Sequence, residues 1–255
     1  MDPPINALHT LPAGVLQGPD LAAPRVAVNV EFHELHSAHM HGSVGWELSV
    51  PTVPAEAVVV CLHGRGETHA FAFDVIGTHR FVADAGLPWA VASVDGGGGS
   101  YWHRRTDGTD PEQMLFEEFV PVLRERFGAV PIMLLGWSMG GYGALLAAAD
   151  HPKEIRAVVA ASPALWSSYS DSAPGAFDSV DDFTLHDLSH RIGQLARMPV
   201  RIDCGVDDPF IGTCRHLSAR LPAAEVVFGA GFHDAGTWRA RLPSQLRFLR
   251  RALAS

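Results

Sequence analysis

Residues 131–149 read PIMLLGWSMGGYGALLAAA, and the change of texture inside them decides the fold. Ile132 to Leu135 form a short apolar run, as a strand buried on both faces requires. From Gly140 onward small residues take over, a composition suited to a helix packed closely on its neighbours. Between the two lies Gly136-Trp137-Ser138-Met139-Gly140, a G-x-S-x-G pentapeptide. A strand passing through a sharp, strained turn into a helix lifts such a serine above the strand ends, with glycines where neighbouring backbone comes close. The partial positive charge at the helix N-terminus favours a developing anion beside it. Ser138 is the candidate nucleophile; the bland alternative is a tight turn that happens to contain serine. No residue from Phe127 to Ala149 is charged, a length that would satisfy a crude membrane-span filter. Pro131, Ser138 and five glycines interrupt it, so strand, turn and helix explain it better.

The same alternation extends outward in both directions. Short apolar runs at 57–62, 89–94, 132–135, 155–160, 200–203 and 225–228 each end in a loop rich in Gly, Asp or His. Helical patterns follow at 71–85, 111–127, 139–149, 210–221 and 237–253, the last with Pro243 bending it or marking a late start. Strands buried on both faces and alternating with helices predict an α/β domain with a mostly parallel sheet and helices on both faces. Residues 26–50, β-branched and broken by Gly42 and Gly45, predict two or three antiparallel strands at the N-terminal sheet edge. Residues 166–198, rich in Ser, Asp, Gly and Pro, predict a small lid or excursion between two strands. With 255 residues, 47% hydrophobic and 18% charged, the chain reads as one domain over 1–255.

Nineteen basic against 28 acidic residues, a formal charge of −9, argue against a nucleic-acid partner. The opening 24 residues have no basic n-region and no unbroken apolar stretch, which predicts cytoplasmic residence without a transmembrane segment. Cys61, Cys204 and Cys214 show no C-x-x-C spacing, so neither a disulfide framework nor a thiolate zinc site is expected.

A serine hydroxyl needs a base to remove its proton, and a histidine after the last strand would supply it. His233, in Gly231-Phe232-His233-Asp234, is the one of fourteen histidines in that place. The acid that orients it should follow the preceding strand, where two neighbours compete. Asp208 fits a G-x-x-D pattern from Gly205 and precedes Pro209; Asp207 is the fallback. The order Ser138, Asp208, His233 is the one expected when the serine sits on a strand-to-helix elbow. Two preorganised backbone donors should face the oxyanion, the N–H groups of Met139 and of Arg65 in His63-Gly64-Arg65-Gly66, with Gly64 freeing the chain to turn. His63 is read as a structural residue of that loop.

Taken together, HGRG at 63–66, DGGGGSYWH at 95–103, GWSMGGYGAL at 136–145, DCGVDDPF at 203–210 and GFHDAGTWRARL at 231–242 carry a family likeness. The sequence resembles the α/β-hydrolase superfamily, and within it the esterase group that includes esterase D and the antigen 85 mycolyltransferases. The resemblance implies the α/β-hydrolase fold and hydrolysis of small carboxylic esters or thioesters through an acyl-enzyme. Two other readings stand beside it, an acyltransferase or cofactor-free perhydrolase on the same triad, and a non-catalytic binding domain. No metal or organic cofactor is called for.

Gly96 to Gly99 lack the lysine of a phosphate loop and read as a flexible loop at the site mouth. Gly64, Tyr101, Trp102 and Trp137 are the candidate substrate contacts. His33, His36, His39 and His41 are read as exposed edge-strand histidines, and His186 with His190 as a surface pair lacking the glutamate of H-E-x-x-H.

Overall fold

Each apolar run becomes a strand. The computed structural model describes residues 25–255. Its strands are β1 (Val28–Ser37), β2 (Gly42–Pro51), β3 (Ala57–Leu62), β4 (Trp89–Val94), β5 (Ile132–Trp137), β6 (Ile155–Ala161), β7 (Val200–Gly205) and β8 (Glu225–Gly229). They form one sheet in the order β1-β2-β4-β3-β5-β6-β7-β8. From β4 to β8 every pairing is parallel, whereas β1 and β2 form an antiparallel hairpin and β2 joins β4 antiparallel. The expected N-terminal strands are therefore a single ten-residue pair, turned at His41 with φ 56°.

The helices are α1 (Thr78–Asp84), α2 (Pro111–Gln113), α3 (Val120–Phe127), α4 (Met139–Asp150), α5 (Val180–Leu185), α6 (Ile192–Leu195), α7 (Ile211–Ala219) and α8 (Ala235–Ala254). Side chains alternate across each strand, so the sheet divides the core in two. Val58, Val60, Leu62 and Leu134 pack with α3, α4 and α7, while Val59, Cys61, Met133 and Leu135 pack with Trp238, Leu242 and Leu249 of α8 and Val82 of α1. This is the α/β-hydrolase architecture, with helices on both faces.

Three helix expectations change. The pattern over 71–85 is broken into a π-turn, Phe71–Val75, and α1, because Gly77 takes φ 73°, a left-handed conformation that ends one helix and starts the next. The helical stretch 111–127 widens into a π-turn at Met114–Phe119 just before Pro121, whose ring nitrogen offers no N–H to the preceding turn. Pro243, by contrast, does not delay α8, which starts at Ala235 and runs through it. The segment between β6 and β7 holds α5, α6 and two short 3-10 turns. Arg105 fastens it, donating to Ala176 O at 2.7 Å, Gly175 O at 2.8 Å and Asp178 Oδ1 at 2.6 Å. Among the described residues no helix is long and apolar enough to cross a membrane.

Candidate active site

Four neighbouring strands, β5 to β8, point their C-terminal ends at one place. Ser138 follows β5 with φ 54° and ψ −117°, a strained conformation for a residue with a side chain. The glycines around it are required by contact. A Cβ on Gly136 would lie 2.0 Å from Gly140 O, and one on Gly140 would lie 2.0 Å from Leu62 O. The elbow is therefore wedged directly against the end of β3.

Asp208 follows β7 and His233 follows β8. Their loops touch where neither could carry a side chain, since a Cβ on Gly205 would meet Gly231 O at 2.1 Å. Asp234 caps α8 by accepting from Thr237 N at 2.7 Å, and Thr237 Oγ1 accepts from Phe232 N at 2.9 Å. Those two bonds bracket His233 in the loop. Its Nε2 lies 2.9 Å from Ser138 Oγ and its Nδ1 lies 2.8 Å from Asp208 Oδ2. Asp208 is only 2% exposed, and its other oxygen accepts from Phe210 N at 2.9 Å. Burial pushes its carboxyl pKa up, but the hydrogen bonds with His233 and from the Phe210 amide outweigh burial and hold it below the ordinary carboxylate value. Asp207 is exposed and makes no side-chain hydrogen bond among the described residues, while Asp203 is buried against Arg201 Nη2 at 2.9 Å and Gln245 Nε2 at 2.6 Å. Of these three carboxylates, Asp208 is the one that reaches the imidazole.

The β3 loop closes the other side. A Cβ on Gly64 would stand 3.6 Å from Ser138 Cβ, so the backbone of this loop runs beside the serine. Its shape is fixed from behind by His63, whose Nε2 accepts from Gly96 N at 3.0 Å, leaving Nδ1–H to donate to Gly64 O at 2.9 Å. Gly66 N donates to Gly98 O at 2.7 Å, tying in the glycine run. Met139 opens α4, so its N–H has no intrahelical acceptor. The Arg65 guanidinium is drawn away to Pro174 O at 3.0 Å.

A family model described as serine aminopeptidase, S33, matches residues 53–201, more than half of the chain. This chain belongs to that family. The matched segment contains Ser138 and ends before Asp208 and His233. No curated protein sequence matches this S33-family chain. In three dimensions it is similar to a ferulic acid esterase, with a TM-score of 0.75 at 18% identity over 89% of this chain and 99% of that one. It is also similar to MPT51 of Mycobacterium tuberculosis, at 0.73 and 16% over 89% and 100%. An S-formylglutathione hydrolase from Staphylococcus aureus gives 0.71 and 14% over 88% and 99%. At such identities the likeness is one of fold, and family membership makes the chain a serine hydrolase.

The aromatic residues expected to contact substrate are placed otherwise in this hydrolase. Trp137 is 0% exposed and packs edge-on against Phe71 in the α1/α8 face of the core, because it shares the strand parity of Met133 and Leu135. Trp102 is buried over Gly143, its indole N–H donating to His63 O at 3.2 Å. Both expectations are corrected to core roles. Tyr101 is buried too, against Trp166, Phe177 and Tyr142, and burial raises its phenol to about 12. Aromatic contact with the imidazole comes instead from Phe210, 5.3 Å from His233 between centroids, and Trp238 at 5.1 Å.

His186 pairs with His103 rather than His190. The donor atoms of His103, Asp182 and His186 come within 4.8 Å of one another, a spacing that suggests a metal. The rings in it are also stacked. His103 is sandwiched between Phe177 at 5.2 Å and His186 at 4.2 Å, and its two ring nitrogens face carbonyl oxygens, Nδ1 that of Arg104 at 2.9 Å and Nε2 that of Ala176 at 3.2 Å. His33 and His39 are each taken by a separate glutamate, Glu31 and Glu117.

Proposed function

We propose that this protein hydrolyses small carboxylic esters or thioesters through an acyl-enzyme on Ser138. The observation that carries this reading is the hydrogen-bonded line Ser138 Oγ to His233 Nε2, then His233 Nδ1 to Asp208 Oδ2. His233 takes the Ser138 proton as Oγ attacks the acyl carbon, and the carbonyl electron pair moves onto oxygen. The N–H groups of Met139 and Arg65 receive that oxyanion, at the head of α4 and on the fixed β3 loop. Collapse expels an alkoxide or thiolate, which takes the proton from His233. Water then attacks the acyl-enzyme, giving a proton to His233, and the acid departs as Ser138 is reprotonated. Asp208 holds the tautomer with hydrogen on Nδ1 and offsets the imidazolium charge. Phe210 and Trp166, 5.4 Å apart between centroids, offer an apolar side to the acyl group. The chemistry calls for no metal. Three free, buried cysteines suit a reducing cytoplasmic setting.

The test is brief exposure to a fluorophosphonate, intact mass measurement and peptide mapping, followed by a chain-length series of p-nitrophenyl esters. One adduct on Ser138, lost with Ser138→Ala, is the expected result. A folded protein that takes no adduct, or takes it elsewhere, overturns the assignment.

A further inference from the structure

The loop after β4 and the short helix α5 meet at His103, Asp182 and His186. Asp182 and His186 stand four positions apart, about one helical turn, so their side chains lie on one side of α5 and its C-cap. His103 is brought against them by the loop and is fully buried, its ring stacked on that of His186.

No tautomer satisfies His103. Its Nδ1 lies 2.9 Å from Arg104 O and its Nε2 lies 3.2 Å from Ala176 O. A neutral imidazole carries one N–H, so in either tautomer one nitrogen turns its lone pair toward a carbonyl oxygen. A second proton would satisfy both oxygens, but burial opposes that charge. A metal ion is the other remedy. When Nε2–H donates to Ala176 O, as the second ring nitrogen of a metal-bound histidine commonly does to a backbone carbonyl, the Nδ1 lone pair is free to bind.

Asp182 is prepared in the same way. Its Oδ2 accepts from Asp178 N at 2.8 Å, which leaves Oδ1 to face the histidines. Oδ1 lies 2.9 Å from His186 Nδ1 and 3.8 Å from His103 Nδ1. Tetrahedral zinc with bonds of about 2.0–2.1 Å sets its ligand atoms about 3.3–3.4 Å apart, between those two separations. Among the described residues Asp182 pairs with these histidines and with no lysine or arginine, while Arg105 close by is taken by Asp178 at 2.6 Å. A largely buried carboxylate is thus left without a permanent counter-charge.

We propose that His103 Nδ1, His186 Nδ1 and Asp182 Oδ1 form a structural zinc site that clips the segment between β6 and β7 to the loop after β4. Water fills the fourth position. Without metal, His186 Nδ1 donates to Asp182 O at 3.0 Å; on binding, the ion takes the place of that hydrogen, which moves to Nε2. Two nitrogens and one carboxylate oxygen suit zinc better than calcium or magnesium, which favour oxygen alone. The clip also bears on α4, because Tyr142 Oη donates to His186 O at 2.8 Å. None of the three ligands takes part in the acyl transfer proposed for Ser138, so the two readings stand or fall separately.

The test is calorimetric titration of zinc chloride into the full chain, stripped with EDTA and dialysed free of it, with thermal unfolding in parallel. One zinc per chain is expected, and zinc at a hundredfold excess over its Kd should raise Tm by roughly 5–10 °C. Asp182→Asn keeps an oxygen for Asp178 N and puts an NH2 in place of the ligand oxygen. It should weaken binding about a hundredfold or more and remove most of the rise in Tm. His103→Gln should do the same, and Asp182→Asn carries the test if that variant does not fold. His190→Gln, exposed beyond the site, should bind zinc as the parent does. Calcium chloride at the same concentration should leave Tm unchanged. A folded parent that binds no zinc, undiminished binding in folded Asp182→Asn, or equal stabilisation by calcium would overturn the proposal.

Discussion

Replacing Asp208 by asparagine changes one oxygen for an NH2 group and should stop the enzyme through the tautomer of His233. Asp208 Oδ1 accepts from Phe210 N at 2.9 Å, and this bond survives if the amide oxygen takes that place. The NH2 then faces Nδ1, across the 2.8 Å now spanned by a carboxylate hydrogen bond. Two donors cannot share that contact, so Nδ1 gives up its hydrogen and accepts, and the ring proton moves to Nε2. Nε2 lies 2.9 Å from Ser138 Oγ and, once protonated, has no lone pair for the serine proton. Loss of the base and of the charge that offsets the imidazolium is worth about 10³–10⁴ in kcat, or about 4–5.5 kcal/mol of barrier. Asp207→Asn changes an exposed group without a side-chain partner and should alter kcat/KM by no more than about twofold. Steady-state hydrolysis of p-nitrophenyl acetate at pH 8 reads both, with circular dichroism to verify the fold. Equal losses, or a larger one for Asp207→Asn, would refute the assignment of Asp208.

Two further predictions concern stability. Burial, with His186 beside it, lowers the pKa of His103 to about 4, against about 6.5 for a free histidine. Below pH 6.5 the unfolded chain therefore binds a proton that the folded one refuses, so this contribution is complete above pH 6.5 and drains away as pH falls toward 4. Its full size for the metal-free protein is on the order of 3 kcal/mol, of which about 2 kcal/mol is lost between pH 7 and pH 5. Urea unfolding at pH 7 and pH 5 should show that loss in the parent and much less of it in His103→Gln; identical slopes would place the titration elsewhere. Gly140→Ala drives a Cβ into Leu62 O, whereas Gly212→Ala in α7 meets nothing within 4 Å. The first should cost on the order of 3 kcal/mol, exceeding the helix preference for alanine, and the second should gain up to about 1 kcal/mol. For a chain of this size these are falls and rises of roughly 2–4 °C in Tm per kcal/mol, and equal melting temperatures for the two variants would contradict the packing at the elbow.

The elbow was readable from sequence because its constraints are local. A strand of both-face-buried residues, two glycines set by backbone contact and a small-residue helix all fall within 131–149, and each leaves a compositional mark. The positions of Asp208 and His233 were readable because the sheet fixes an order, and each follows an apolar run that becomes a strand. Residues whose roles depend on which face they present were harder. Trp137 reads as a substrate contact by its nearness to Ser138, yet two-residue alternation with Met133 and Leu135 places it on the far side of the sheet from α4. That signal was present in the sequence and points the other way from proximity. Tyr101 and Trp102 gave no such warning, since their burial depends on positive φ angles of 53° and 59° and on Gly143 making room for an indole. The surroundings of Ser162, in an apolar run followed by Ser-Pro, are set the same way, since its hydroxyl accepts from Trp238 Nε1, 76 positions away. Local chemistry thus marks the candidate nucleophile and chain order its candidate partners, while the groups packed around them, such as Phe210 and Trp238 beside His233, are set by tertiary contact alone.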